Sequence, residues 1–215
     1  MLIVLLIAGA IFWYIAKTNN ENKVLRQVIE RLTADSRVAE VAVTDQRKDP
    51  STKKTYTTIK FQEYDTNYKL LDPQYFVFSG NIIQFQSMVI RFDDYYVKKG
   101  DPLRGKSAYF FTRVFMLTDK GAEVYDINKV NEVPSGYEIN GSGGSAFERK
   151  LWRKFWKYAL NPKEAKRVGI KNAQIEAPGT MFIPGMQYIL KIEHDGGLRI
   201  DSRLMPAKAK GKVHR

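Results

Sequence analysis

One stretch of this 215-residue chain spells out a chemistry. GDPLRGKS, Gly100 to Ser107, satisfies the G-x-x-x-x-G-K-[ST] pattern of phosphate-binding loops. In such a loop, backbone N–H groups wrap the phosphates, with Gly100 and Gly105 allowing the close approach. Lys106 would reach the β/γ oxygens and Ser107 would hold Mg²⁺. The chemistry requires a buried apolar strand running into the first glycine and a helix leaving the serine. Here the polar and charged DDYYVKK precedes the motif. The AYFFTRVFML that follows clusters Phe, Tyr and Val without a 3.6-residue face, which favours a strand. Pro102 removes one of the N–H donors, and no apolar strand ending in Asp follows to serve the Mg²⁺. The segment is read as a strand connection that matches the motif in string. A nucleotide hydrolase or switch built on Gly100, Gly105, Lys106 and Ser107 is the alternative.

The other reactive side chains converge less. His194 and His214 are the two imidazoles, one beside the turn-like EHDGG and one near the C-terminus, and the chain has no cysteine. Without a His pair at ligand spacing, no zinc site is assigned. A Ser/His/Asp arrangement would depend on His194, and no G-x-S-x-G elbow is present. Asp93 and Asp94 are adjacent, so on a strand they face opposite sides and cannot share one substrate atom. Asn140-Gly141-Ser142 fits the glycosylation acceptor pattern. The expectation is no catalytic residue, no metal and no cofactor.

Binding chemistry is better represented. In AFERKLWRKFWKYAL the spacing predicts a helix over Phe147–Leu160. Phe147, Leu151, Trp152, Phe155, Trp156, Tyr158 and Ala159 fill one half of its wheel. Arg149, Lys150, Arg153, Lys154 and Lys157 fill the other, and Glu148 alone intrudes on the apolar half. Such a helix covers one face of a sheet and keeps its basic side in water. A basic helix edged with Trp also has the form that lies on anionic lipid. Trp and Arg together are further enriched at the energetic centres of protein interfaces. Arg149, Trp152, Arg153, Trp156 and Lys157 are the candidate contact residues. Nucleic acid is the weaker partner, because the aromatics lie opposite the cations instead of between them.

Charge supports that placement. Residues 35–145 carry 15 basic and 15 acidic side chains, whereas residues 146–215 carry 16 basic and 6 acidic. Most of the net +12 therefore sits in the C-terminal third, where an acidic partner would be met.

The elements that would hold this helix begin with MLIVLLIAGAIFWYIA, sixteen residues without a charge. A bilayer core needs about 17–25 helical residues, so this run is short, but Trp13 and Tyr14 are types that settle at the lipid boundary. The reading is an uncleaved signal-anchor with residues 2–16 in the bilayer; a cleaved signal is the alternative, although no basic n-region precedes the run. The expected location is the cell inner membrane, single-pass, with the C-terminal body extracytoplasmic. Lys17, Lys23, Arg26 and Arg31 follow the span, so the positive-inside rule favours the cytoplasmic alternative.

In ENKVLRQVIERL, Val24, Leu25, Val28, Ile29 and Leu32 share one arc, predicting an amphipathic helix that packs on the body or forms a seam with a neighbouring subunit. From Arg37 the texture is that of strands. Three consecutive hairpins are expected: Val38–Val43 with TYTTIKFQEY, QYFVF with IIQFQSMVIRF around Ser79-Gly80-Asn81, and KSAYFFTRVFML with AEVYDI. NGSGGS has linker composition, and a last hairpin turns at Asp195-Gly196-Gly197.

The expected fold is mainly β, antiparallel hairpins forming a sandwich or curled sheet, with an N-terminal transmembrane helix and a C-terminal amphipathic helix; α+β is the alternative. The segments are 1–17 anchor, 20–34 amphipathic helix, 35–139 β-rich body, 140–145 linker-like loop, 146–205 basic helix plus hairpin, and 206–215 a disordered basic tail. The expected function is that of a non-enzymatic, membrane-anchored structural or interaction subunit of an envelope protein assembly, with a membrane or envelope protein as partner and oligomerisation open. Binding of anionic lipid or polyanion through the basic helix is a further alternative.

Overall fold

The computed structural model of the chain describes residues 12–16, 37–65, 68–92, 107–139, 143–167, 170–193 and 197–205. Residues 12–16 are helical (α1) and exposed. Among the described residues no helix is long and apolar enough to cross a membrane. The remainder of the expected anchor, the amphipathic helix expected at 20–34 and the tail 206–215 lie outside the described residues.

Among the described residues ten strands follow: β1 (Arg37–Lys48), β2 (Thr55–Glu63), β3 (Gln74–Phe78), β4 (Ile82–Phe92), β5 (Ser107–Thr118), β6 (Gly121–Asp126), β7 (Ile170–Glu176), β8 (Gly179–Met181), β9 (Met186–Ile192) and β10 (Leu198–Leu204). Two helices, α2 (Ala146–Leu160) and α3 (Pro162–Arg167), stand between β6 and β7. The strands form two antiparallel sheets, one ordered β10-β9-β1-β2-β3 and the other β6-β5-β4-β7 with β8 also on β4. The protein is mainly β, as the alternating patterns imply.

The sheets face each other across one core. From the first sheet, Val41, Val43, Ile59, Phe61, Phe76 and Phe78 point inward; from the second, Ile83, Phe85, Val89, Tyr109, Phe111 and Val114 meet them. Phe61 stacks on Phe85 at 5.4 Å and meets Phe111 edge-on at 5.3 Å. Each such ring withdraws enough apolar surface to contribute about 2–3 kcal/mol.

The first and third expected hairpins form, as β1-β2 and β5-β6, and β9-β10 pair as the last one. The second does not. β3 pairs with β2 in the first sheet, and β4 lies in the second. The Ser79–Asn81 turn is a crossing between sheets, pinned where Ser79 N–H donates to Glu123 of β6 at 2.8 Å and Phe182 N–H donates to Asn81 O at 2.7 Å. Burial is the reason: Phe76 and Phe85 both belong in one core and must reach it from opposite sides. Along the same edge, Tyr125 Oη donates to Val77 O at 2.7 Å, so β6 stitches the free edge of β3.

The strands after residue 146 complete both sheets: β7 and β8 pair with β4, and β9 pairs with β1. The linker-like glycines lead directly into α2. Gly143 (φ 78°) and Gly144 (φ 64°) take left-handed backbone that side-chain-bearing residues rarely adopt, turning the chain into the helix. Residues 140–142 of that segment lie outside the described residues.

The loop that joins β1 to β2 is set by one carboxylate. Asp49 accepts from Ser51 N–H (2.8 Å), Ser51 Oγ (2.7 Å) and Thr52 Oγ1 (2.7 Å). These donors, led by the Ser51 hydroxyl, lower its pKa from 3.8 to about 2. Because the folded value is the lower one, the loop's contribution is complete above 3.8 and fades as pH falls through about 2. A carboxyl NMR titration is expected to place the Asp49 midpoint near 2, and Ser51→Ala to move it upward; a wild-type midpoint at 3.8 contradicts the loop geometry.

Candidate interaction surface

The basic helix is held from both its start and its inner face. Ser145 caps α2 by accepting from Glu148 N–H at 3.2 Å, while Glu148 Oε2 accepts from Ser145 N–H at 2.6 Å, a reciprocal box that satisfies two end donors. Glu148 Oε1 also accepts from Ile139 N–H at 2.8 Å, tying the helix start to the segment before it. The single acid on the apolar half of the wheel is thus a buried fastening.

Below it lies a second core, between α2 and the outer face of the second sheet. Met88, Ile90 and Phe110 form its floor, and Trp152, Phe155, Trp156 and Ala159 fill it from above. Trp152 meets Phe110 at 5.6 Å, Tyr137 at 4.5 Å and Phe155 at 5.1 Å. Trp156 meets Phe110 at 4.5 Å and donates its indole N–H to Glu132 O at 2.7 Å. With 0% and 1% of their surface exposed, Trp152 and Trp156 offer a partner nothing to touch in this state. The rings sit inward because a half-covered β-sheet is the nearest apolar surface to the helix that carries them.

Arg149, Arg153 and Lys157 are exposed on the opposite side, with Lys150 and Lys154 beside them. Arg149 donates to Gly144 O at 2.5 Å, and Arg153 donates to Arg149 O at 3.2 Å. Lys157 pairs with Glu164 at 3.5 Å. Among the described residues, Lys150, Arg153 and Lys154 have no carboxylate partner. Of the expected contact residues, the structure therefore brings the three cations together on a surface and turns the two tryptophans away from it.

A second helix, α3, extends this face, which the periodicity of α2 alone does not reveal. Asn161 Oδ1 accepts from Lys163 N–H (3.2 Å) and Glu164 N–H (3.3 Å), capping a second helix whose first residue is Pro162. That Asn-Pro pair is a helix-start signature as well as a stop for α2. α3 adds Lys163, Lys166 and Arg167, with Glu164 bridging Lys157 to Arg167 (3.3 Å).

The GDPLRGKS string leads into a strand, as the residues that follow it imply. Ser107 opens β5, in register with Arg91 of β4, so a strand and not a helix leaves the motif, and the strand that precedes it is antiparallel. Gly100, Gly105 and Lys106 lie outside the described residues, as do Asp93, Asp94, His194 and His214. Among the described residues, no three His, Cys, Asp or Glu side chains are grouped to hold a metal ion.

Two depressions mark the surface. One, of about 310 Å³, runs beside the C-terminal end of α2 over Met88, Trp156, Leu160 and Ile175, with Gln86 and Arg113 at its rim. The other, of about 300 Å³, is lined by Glu63, Asp72 and Glu138 around Leu71 and Ser135, and Gly136 packs directly against the buried Glu63 carboxylate. No family model matches this chain, and no curated protein and no solved structure matches it either.

Proposed function

We propose that this chain is a non-enzymatic interaction subunit, tethered by residues 2–16 to the cell inner membrane with its body on the extracytoplasmic side. Its work is to hold an acidic protein partner within an envelope assembly through the basic face of α2 and α3. One observation carries the reading. The aromatic half of α2 is locked into the protein's own core, while Lys150, Arg153 and Lys154 stand outward without a carboxylate partner among the described residues. A cationic row on a rigid support is preorganised for an acidic surface, since no ordering of the helix remains to oppose binding. Tethering adds effective concentration, so individually weak contacts suffice.

Anionic lipid is the second reading, and the burial of Trp152 and Trp156 counts against its inserting form. A helix that enters the lipid interface needs its apolar half free, which leaves only attraction between the cations and the headgroups.

The test uses the full chain in mild detergent against two probes, an immobilised oligoglutamate peptide and anionic phosphatidylglycerol vesicles. The Lys150→Glu/Arg153→Glu/Lys154→Glu variant is expected to keep the fold and to lose oligoglutamate binding by about 100-fold or more, at about 1 kcal/mol per cation. Equal binding by variant and wild type removes the basic face from the function, and binding confined to the vesicles transfers it to lipid. A reporter fused after residue 215 reads the side of the membrane on which the body lies.

A further inference from the structure

The two edges of the first sheet are unlike. β3, at one edge, is closed by the Tyr125 hydroxyl on Val77 O. β10, at the other, has β9 on one side and, among the described residues, no strand on its far side. Hydrogen-bond alternation says which of its backbone groups face outward. Glu193 N–H donates to Gly197 O and Met205 N–H donates to Gly185 O, both at 2.8 Å, and these two bonds fix the phase of the ladder. Arg199, Asp201 and Arg203 therefore turn their N–H and C=O toward β9, while Leu198, Ile200, Ser202 and Leu204 turn theirs away. Neither a proline nor a bulge interrupts β10, so the outward row is a template for another strand. Its side chains divide the same way. Arg203 donates to Gln187 at 2.9 Å on the sheet's outer face, beside Glu40. On the core side Leu198 is buried, whereas Leu204 is 79% exposed.

The charges on β10 itself name the occupant. A second β10 can bond to this edge only through its own outward groups, so even-numbered residues stand opposite even-numbered ones. Three antiparallel registers keep five or more residues of each strand paired. Setting Ile200 opposite the copy's Ser202 places Asp201 opposite Asp201 and Arg199 opposite Arg203, like against like. Setting Ile200 opposite itself leaves Leu204 beyond the paired strands. It also brings a carboxylate to Arg199, which Glu193 and Asp201 already hold at 2.7 and 2.8 Å. Setting Ser202 opposite itself meets both needs. Arg203, without a carboxylate partner among the described residues, then faces the copy's Asp201, and Leu204 lies beside the copy's Ile200. We propose that β10 pairs antiparallel with β10 of a second copy of this chain, about a two-fold axis at Ser202, joining two five-stranded sheets into one of ten. The contact is isologous, so each edge is filled by a single partner and nothing is left to propagate. This goes beyond the binding of an acidic partner and uses different residues.

The absence of cysteine makes the test direct. Full-length Asp201→Cys and Arg203→Cys chains, each with its own tag, are mixed in mild detergent under gentle oxidation. Opposed residues of a non-hydrogen-bonded pair lie about 4.5 Å apart at Cα, within disulfide reach. A mixed-tag disulfide is therefore expected, formed faster than any disulfide in either variant alone. Ser202→Pro removes an N–H that faces away from β9, so the β9-β10 ladder keeps its bonds while the centre of the dimer loses two. It is expected to weaken the dimer by about tenfold or more in sedimentation, with the melting temperature unchanged. The α2 triple reversal leaves the disulfide intact, which separates this proposal from the function of the basic face. A chain monomeric at all concentrations overturns it. So does a disulfide that forms as readily from Asp201→Cys alone, since that places Asp201 opposite itself.

Discussion

Trp152→Ala is expected to lower the unfolding free energy by about 4 kcal/mol, read as a urea midpoint shift of about 2 M. The residue is fully buried, and its ring touches Phe110, Tyr137 and Phe155. Alanine leaves a cavity between helix and sheet that neither can close without losing its own hydrogen bonds. Trp152→Phe separates packing from polarity. The indole Nε1 has no hydrogen-bond partner among the described residues, so phenylalanine loses some volume but also removes an unsatisfied donor, whose burial costs about 1–3 kcal/mol. A small change for Phe and a large one for Ala are expected. Trp156→Phe should fare worse than Trp152→Phe, because it strips the Glu132 carbonyl of its donor. If Trp152→Ala left stability untouched and abolished partner binding instead, the ring would belong to an interface and the second core would be wrongly described.

Glu148→Ala is the second large effect, about 3 kcal/mol of destabilisation by thermal or denaturant melting. Its carboxylate accepts from two backbone N–H groups, on Ile139 and Ser145, and sits at the positive end of the helix. Removing it leaves two partly buried donors without this acceptor. Glu148→Gln keeps the volume and one acceptor oxygen, so about half that loss is expected. Amide exchange gives a local readout: Ile139 and Ser145 N–H are expected to exchange faster in both variants than in wild type, with the strands unaffected. Unchanged protection at those two amides would remove the fastening role. Both effects bear on function, because the cations of α2 are presented only while the helix is held down at its start and along its inner face.

These residues also show how far the chain can be read without its fold. The wheel separates Trp152 and Trp156 from Arg149, Arg153 and Lys157, and it marks Glu148 as an intruder. It cannot say what lies against the apolar half, because the floor is made of Met88, Ile90 and Phe110, some 40 to 70 residues earlier. An aromatic half facing a partner and one facing the protein's own sheet have the same periodicity. Only the presence of a bare sheet face decides between them.

Strands show the same division. Alternation in TYTTIKFQEY and QYFVF and the glycine at residue 121 are local, and the elements they imply are present. The separation of β3 from β4 is not local. It follows from a core that needs aromatics from two sides, and a three-residue turn serves a hairpin or a crossing equally well. β7 escaped notice because IKNAQIE has little β-branched content, and its pairing with β4 supplies what propensity does not. β8 and α3 are short, made by their neighbours or a cap.

The sequence by itself determined that the chain is mainly β, that a basic amphipathic helix interrupts the strands, and that positive charge gathers toward its C-terminal third. Periodicity and composition are properties of neighbouring residues, so they survive without a fold. Only the tertiary structure decided which strands share a sheet, that the tryptophans face inward, and that β10 lies at a sheet edge. Those outcomes depend on which distant surfaces meet and exclude water together, and that information is carried by no single segment.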